Sequence, residues 1–229
     1  MIACTRCSNL ENIVKNGKKY NNAQNYLCKN CGKQFIAPQE LKNKGCSREV
    51  KESIIRCLSR GAGIRDAAYI TQTSVGLVLK VLCTLSLVIK PKKLEYQRLE
   101  VDELWTYVQK KDTKVWMIYL YCKETKEVVA YAHGNRSRST VKQLWNKIKK
   151  MGIKIDSICS DNWEAFKGVF ESVNHFIGKE FTKAIEGNNC LFRTRMRRIF
   201  RKTCNFSKKL FNHLKAFDLA IYNINVLGM

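Results

Sequence analysis

The sequence predicts an α/β chain, with a mixed five-stranded sheet and covering helices in its second half and two small units in its first. Three observations carry that expectation. Apolar residues recur at helical spacing up to a boundary near residue 95, and runs rich in β-branched and aromatic residues follow. Those later runs alternate with an amphipathic stretch and a basic one, the order of a sheet covered by helices. Two C-x-x-C pairs stand near the start.

The 229 residues suffice for one medium domain with a full core plus one or two small appendages. Lys and Arg number 42 against 19 Asp and Glu, a formal net charge of +23. Residues 1–97 hold 17 basic and 6 acidic residues, net +11, and the remainder 25 and 13, net +12. That self-repulsion is best explained by a polyanionic partner, and both halves are suited to touch phosphate. Residues 1–10 contain two Cys and polar groups rather than an apolar stretch, and no window reaches the roughly 18 apolar residues of a membrane span. The expectation is a cytoplasmic chain without a membrane partner, associated with the nucleoid when bound to DNA. Eleven Cys in such a chain suggest metal ligands and small core residues rather than disulfides.

Cys4, Cys7, Cys28 and Cys31 form the two C-x-x-C pairs, with 20 residues between them. Each pair turns two thiolates onto one ion, and two pairs complete a closed tetrahedral shell, the donor set of one structural Zn²⁺. Asn16-Gly17 and Asn21-Asn22 offer hairpin turns, and Tyr20, Tyr26, Leu27 and Phe35 a small core. The expected unit is a zinc ribbon over residues 1–40, with the metal supplying much of its folding free energy. The seven other Cys (46, 57, 83, 122, 159, 190 and 204) are expected to fill core positions.

Pro38 and Gly45 punctuate the chain after the ribbon. Ser47 then reads as an N-cap, with Val50, Ile54, Ile55 and Leu58 on one helical stripe. Residues 60–63 break that helix, residues 64–70 make a short second one, and residues 71–74 turn and cap a third. Val75, Val78, Leu79 and Leu82 line the third helix. This is a helix-turn-helix pattern over residues 45–92. The N-terminal side of its last helix would enter the major groove, with Gln72, Thr73, Ser74 and Lys80 as contacts. A plain three-helix bundle is the alternative. Lys90-Pro91-Lys92-Lys93 reads as a linker.

Residues 99–108, 115–122 and 128–133 read as three antiparallel strands, and residues 139–151 as a helix. Residues 155–160 make a fourth strand parallel to the first, 173–177 a fifth, and 181–199 a long helix. Three antiparallel strands, helix, strand, helix, strand, helix is the order of a ribonuclease-H-like fold, placed here at residues 97–229. The carboxylates fall where that fold gathers them. Asp102 lies in the first strand, Asp161 directly follows the fourth, and Glu186 stands on the late helix after 24 intervening residues. Three converging carboxylates repel unless cations sit between them. Two Mg²⁺ (or Mn²⁺) ions would there activate a water or 3′-hydroxyl for in-line attack on a phosphodiester. Glu103 projects to the opposite face of the strand from Asp102 and is set aside.

Asn189, Arg193 and Arg197 share the face of Glu186 if one helix continues through them. From Gly187 to Phe217 there are nine basic residues and no acidic ones. Asn189, Arg193, Arg195, Arg197, Arg201 and Lys202 are therefore candidate clamps on the phosphates flanking the scissile bond. A solvated basic helix is the alternative.

Residues 175–195 (HFIGKEFTKAIEGNNCLFRTR), with Arg201-Lys202-Thr203 and Phe206-Ser207, resemble the catalytic half of DDE transposases of the insertion-sequence-1 type. Val101-Asp102-Glu103-Leu104-Trp105 and Ser160-Asp161-Asn162-Trp163 resemble the family's other two blocks. The ribbon and helix-turn-helix resemble its DNA-binding half, so the chain looks like an InsA–InsB-like fusion. The resemblance implies that Asp102, Asp161 and Glu186 form the acidic triad. It implies that the first half binds the element's terminal inverted repeats and that a homodimer or larger complex forms on DNA, target DNA included. His175 matches a family position near the active site, where a supporting role and a structural one are both open. Gly187 stands where relatives commonly carry a basic residue. A DNA-binding regulator with a degenerate second half, or a nuclease that hydrolyses without joining, are the competing readings.

Overall fold

The computed structural model describes residues 2–20, 22–37, 47–170, 172–199 and 205–227. Arg201, Lys202, Thr203, Pro38, Gly45, Cys46 and Cys204 lie outside the described residues, as does the stretch where the first two units were expected to divide.

The first unit is a three-stranded antiparallel sheet in the order β1 (Ile13–Lys18), β2 (Gln24–Cys28), β3 (Gln34–Ile36). Its core is Cys4, Tyr26, Cys28, Phe35 and Ala37, with the Tyr26 and Phe35 rings 5.9 Å apart. Tyr20, expected in that core, is fully exposed. It sits in the hairpin turn itself, where Asn22 N–H donates to the Lys19 carbonyl and Asn22 takes a left-handed φ of 62°. Asn16-Gly17 is not a turn either. Gly17, at φ 68°, lies where the β1–β2 register shifts between Lys15 and Lys18, a bulge within the strand.

Three helices follow: α1 (Arg48–Ser59), α2 (Ile64–Ile70) and α3 (Val75–Thr84). Ser47 Oγ accepts from Val50 N–H at 3.2 Å and Ser74 Oγ from Leu77 N–H at 3.1 Å, so both expected caps form. α2 and α3 meet at 112° around Ala67 and Ala68, which are small enough to let Ile54, Val78 and Val81 close over them. Val75, expected to line the core, is exposed at the first position of α3, and Val81 takes that role.

The second half is a five-stranded sheet in the order β6 (Glu127–Gly134), β5 (Lys114–Cys122), β4 (Glu95–Tyr107), β7 (Lys154–Ser160), β8 (Asn174–Ile177). β4, β5 and β6 run antiparallel, and β7 and β8 are each parallel to the strand before them in that order. Helix α4 (Arg138–Lys150) buries Val141, Leu144 and Ile148 on one face, against Leu99, Val101, Ile118, Leu120 and Ile158. Helices α5 (Lys183–Arg195) and α6 (Leu210–Leu227) cover the other, packing Ile185, Phe192, Phe217 and Ile221 on Leu104, Met117, Tyr119 and Val128. Both faces being covered, β5 reads as a near-continuous apolar run, Val115 to Cys122. Among the described residues no helix stands between β7 and β8. Successive turns bridge them, with Phe166, Val169 and Val173 N–H groups reaching back three residues. Among the described residues no single helix is long and apolar enough to cross a membrane.

The helical unit docks on the sheet half through α3 and α6, with Cys83 Sγ 3.1 Å from Asn212 Oδ1 and Lys215 Nζ 3.0 Å from the Leu85 carbonyl. Gly61, at φ 87°, packs on the C-terminal end of α5. A Cβ there would stand 3.0 Å from the Thr194 carbonyl oxygen and 3.1 Å from that of Arg195. The link from α3 into β4 is pinned by the buried Glu127, which accepts from Lys92 N–H at 2.9 Å and from the Tyr96 hydroxyl at 2.9 Å. Of the other cysteines, Cys122 and Cys159 are buried and Cys57 and Cys83 half-buried, but Cys190 is exposed on α5, against expectation.

Candidate active site

β4 and β7 pair as far as Glu100 opposite Cys159 and then separate. Asp102 and Asp161 stand just beyond that point, Asp102 within β4 and Asp161 directly after the end of β7. Side chains alternate along β4, so Glu100, Asp102 and Leu104 face α5 while Val101 and Glu103 face α4. Asp102, Glu103 and Asp161 each offer an oxygen within 4.8 Å of the others. Glu103, set aside from the sequence because it projects to the opposite face of β4, thus stands close to both aspartates.

Each of the two aspartates is held by neighbouring donors. Asp102 Oδ1 accepts from Glu103 N–H at 2.7 Å and Oδ2 from Asn189 Nδ2 at 2.6 Å. Asp161 Oδ1 accepts from Trp163 N–H at 3.0 Å. Burial pushes the Asp102 carboxyl up to about 6, with the charges of Glu103 and Asp161 acting in the same direction. Glu103 is raised as well, by burial above all, against the pull of Arg136.

Glu186 is exposed in the first turn of α5 and is not part of the three-carboxylate cluster. Its helix is nonetheless fastened to β4 at two points. Thr182 makes no side-chain cap, and the buried Glu100 takes its place, accepting from Ile185 N–H at 2.8 Å. One turn on, Asn189 bonds Asp102, and the Tyr119 hydroxyl donates to Asn189 Oδ1 at 2.8 Å, which turns the amide nitrogen toward the aspartate. Glu186 lies three residues before Asn189 and thus on the same side of α5.

α5 stops at Arg195, short of the expected residue 199, because Met196 takes an extended backbone (φ −131°, ψ 94°). Arg197 consequently leaves the Glu186 face and pairs with Asp66 of α2 at 3.3 Å. Arg193 is exposed on α5 and Arg195 half-buried. In the helical unit, Gln72, Ser74 and Lys80 are exposed, whereas Thr73 is half-buried with its hydroxyl 2.9 Å from that of Thr71. His175 on β8 places Nε2 2.7 Å from Ser160 Oγ, immediately before Asp161, and burial lowers its pKa. It is not in the carboxylate cluster.

The four paired cysteines also converge, all Sγ atoms lying within 4.8 Å of one another. Two matching knuckles bring them there. Ser8 N–H donates to the Cys4 carbonyl at 3.0 Å and Gly32 N–H to that of Cys28 at 2.9 Å, and both residues are left-handed, at φ 57° and 69°.

Glu100, Tyr119 and Arg136 were not singled out from sequence. Glu100 shares the strand face of Asp102, two residues away, which was the available signal for the first, while nothing local marks the other two.

Strands in the order 3-2-1-4-5, the second antiparallel to the rest, with carboxylates gathered within the first and directly after the fourth, are the plan of the ribonuclease-H-like DDE nucleases and strand transferases. The family model described as IS1 transposase matches residues 98–224, and the chain belongs to that family. It is thus a DDE-type transposase, an enzyme of DNA cleavage and strand transfer. The insertion element iso-IS1n protein InsB of Shigella dysenteriae is 35% identical over 122 residues, 53% of this chain and 92% of that protein. The insertion element IS1 2 protein InsB of Escherichia coli (strain K12) is 32% identical over 116 residues, 51% of this chain and 68% of that protein. Among solved structures, a chain of the simian T-cell lymphotropic virus intasome in complex with PP2A regulatory subunit B56 gamma aligns at TM-score 0.46 and 15% identity, over 72% of this chain and 66% of that one. The catalytic core domain of BIV integrase aligns at TM-score 0.41 and 11% identity, over 57% and 84%. The fold assignment rests on the strand order, not on these two likenesses.

Proposed function

We propose that this chain binds the terminal inverted repeats of its insertion element and catalyses metal-dependent DNA cleavage and strand transfer, with Asp102, Asp161 and Glu186 as its acidic triad. The observation that supports the reading is the bond between Asn189 of α5 and Asp102 of β4, since Glu186 shares the Asn189 side of α5 and Asp102 clusters with Asp161.

The donor set fits Mg²⁺ or Mn²⁺, since carboxylate oxygens gathered within 4.8 Å of one another are hard ligands. Bound there, two such ions would activate the attacking oxygen and neutralise the leaving one. The chain's own residues orient the ligands. Asn189 and Glu103 N–H fix the Asp102 carboxylate, Trp163 N–H fixes Asp161, and His175 steadies Ser160 beside it. Arg193 and Arg195, with Arg201 and Lys202 later in the sequence, hold the phosphates flanking the scissile bond, while Arg197 is engaged by Asp66.

Three units divide the work: a zinc ribbon at 1–40, a helix-turn-helix at 45–92 and the catalytic domain at 97–229, each of the three supported by a core of its own. Cys4–Cys31 and Cys7–Cys28 sulfur separations of 3.6 and 3.7 Å fit the edge, about 3.8 Å, of a tetrahedron with Zn–S bonds of about 2.3 Å. The 112° bend between α2 and α3 suits major-groove entry by α3, with Gln72, Thr73, Ser74 and Lys80 nearest the DNA. Joining two element ends to a target calls for a homodimer or larger assembly on DNA, working in the cytoplasm at the nucleoid.

The test is strand transfer in vitro with the DNA flanking this gene and Mg²⁺ or Mn²⁺, comparing wild type with Asp161→Asn. Metal-dependent joining that vanishes in the variant is the expected result. Cleavage without joining would make the chain a nuclease, and binding with neither product in either protein would make it a DNA-binding regulator.

A further inference from the structure

We infer that Glu103 is a fourth acidic residue of the catalytic metal site, a direct cation ligand beside Asp102 and Asp161 that Arg136 holds in position. The inference rests on the triad reading above and adds to it. The triad assigns one carboxylate to each of three elements. The geometry brings a different third carboxylate to the aspartates, since it is Glu103, not Glu186, that lies within 4.8 Å of both.

Proximity alone would not distinguish a ligand from a neighbour, but the state of the Glu103 side chain does. It is only 9% exposed, and its two oxygens are treated differently. Oε1 is gripped by Arg136, from Nη2 at 2.6 Å and Nε at 3.0 Å. Oε2 is buried and has no hydrogen-bond partner. Leaving a buried carboxylate oxygen unsatisfied is among the costlier arrangements in a protein, and a cation shared with Asp102 and Asp161 removes that cost. An ordinary structural ion pair accounts for Oε1 and leaves Oε2 unexplained.

Arg136 is itself pinned. Its guanidinium lies over the Trp116 ring at 5.3 Å and the Trp163 ring at 4.8 Å, contacts that favour the orientation in which its fork holds Oε1. Trp163 also donates its backbone N–H to Asp161, which ties the same clamp to the second aspartate. Charge points the same way. Three ionised carboxylates facing one guanidinium leave two negative charges, the complement of one divalent cation. Glu186, exposed on α5, is then free to serve a second cation.

The experiment titrates Mn²⁺ into the full chain with its zinc in place, following free Mn²⁺ by electron paramagnetic resonance. Wild type, Glu103→Gln, Glu103→Asp and Asp161→Asn are compared, each checked for folding by circular dichroism. Glu103→Gln is expected to weaken the tightest site at least tenfold, and Glu103→Asp, which withdraws the oxygen by about 1.5 Å, to fall between. Should the Gln variant not fold, the Asp variant decides by the same criterion. Wild-type affinity in the Glu103 variants with binding lost in Asp161→Asn would overturn this inference and leave the triad standing. Wild-type affinity in Asp161→Asn as well would overturn both.

Discussion

Asn189 donates from Nδ2 to Asp102 Oδ2 at 2.6 Å, while its Oδ1 is occupied by the Tyr119 hydroxyl at 2.8 Å. The amide is fixed on both sides, an arrangement suited to orienting Asp102. Asn189→Ala is therefore expected to slow strand transfer about 10- to 100-fold, the usual effect of removing a group that orients a metal ligand. Affinity for the element ends, measured by fluorescence anisotropy, should stay within twofold of wild type. Tyr119→Phe should show a smaller loss in the same direction. A matching loss of DNA affinity in Asn189→Ala would instead make Asn189 a phosphate contact.

Asp102 gives the apo protein a specific pH dependence. Its pKa is raised from 3.8 to about 6, first by burial, so the folded chain holds this proton more tightly than the unfolded chain. Its contribution to stability is full below about pH 4 and is lost as the pH rises through about 6. At pH 7 without Mg²⁺ or Mn²⁺ the ionised group costs up to about 3 kcal/mol. Asp102→Asn should accordingly be more stable than wild type by about 1–3 kcal/mol at pH 7 in urea unfolding, with the gap closing near pH 4, while strand transfer is lost. Equal midpoints at pH 7 would contradict the raised carboxyl.

Glu100 is buried within β4, and Oε2 accepts the Ile185 N–H at the start of α5. Removing it strands a buried helix-terminal donor, which costs about 1–3 kcal/mol. Glu100→Ala should lower the melting temperature by roughly 2–4 °C per kcal/mol lost. Glu100→Gln keeps an acceptor and should lose less. Identical melting of the alanine variant and wild type would show that α5 needs no such cap.

The zinc reading makes a separable prediction. All four Trp, at 105, 116, 145 and 163, lie in the sheet half and report on it alone. Chelation of a structural zinc should weaken binding to the element ends at least tenfold, since the metal supplies most of the folding free energy of such small units. Tryptophan emission should not move. A shift in that emission would place the chelated metal elsewhere.

Where the determinant is local, the sequence displays it. Ser47 and Ser74 cap their helices because a hydroxyl three residues before an N–H is a property of the chain itself. The alternation around Asp102 likewise places its face correctly. What escaped depends on groups far apart in sequence. Glu100 acquires its role from a helix end 85 residues later. Arg136 finds Glu103 across 33 residues. Helical spacing runs on past Arg195 with no Gly or Pro to stop it, yet Met196 turns the backbone and hands Arg197 to Asp66. The closing helix α6 went unforeseen for a related reason. Its burial includes His213, Asn223 and Asn225, polar residues that blur the apolar stripe.

Gly61 touches the far end of the helix that bears Glu186, and nothing larger than hydrogen fits there without movement of the Thr194 and Arg195 carbonyls. The left-handed backbone at that position reinforces the requirement. The helical unit is consequently not an interchangeable cassette. An engineer grafting another unit onto this sheet half must reproduce a glycine seat for α5, or recut that helix end to suit the newcomer.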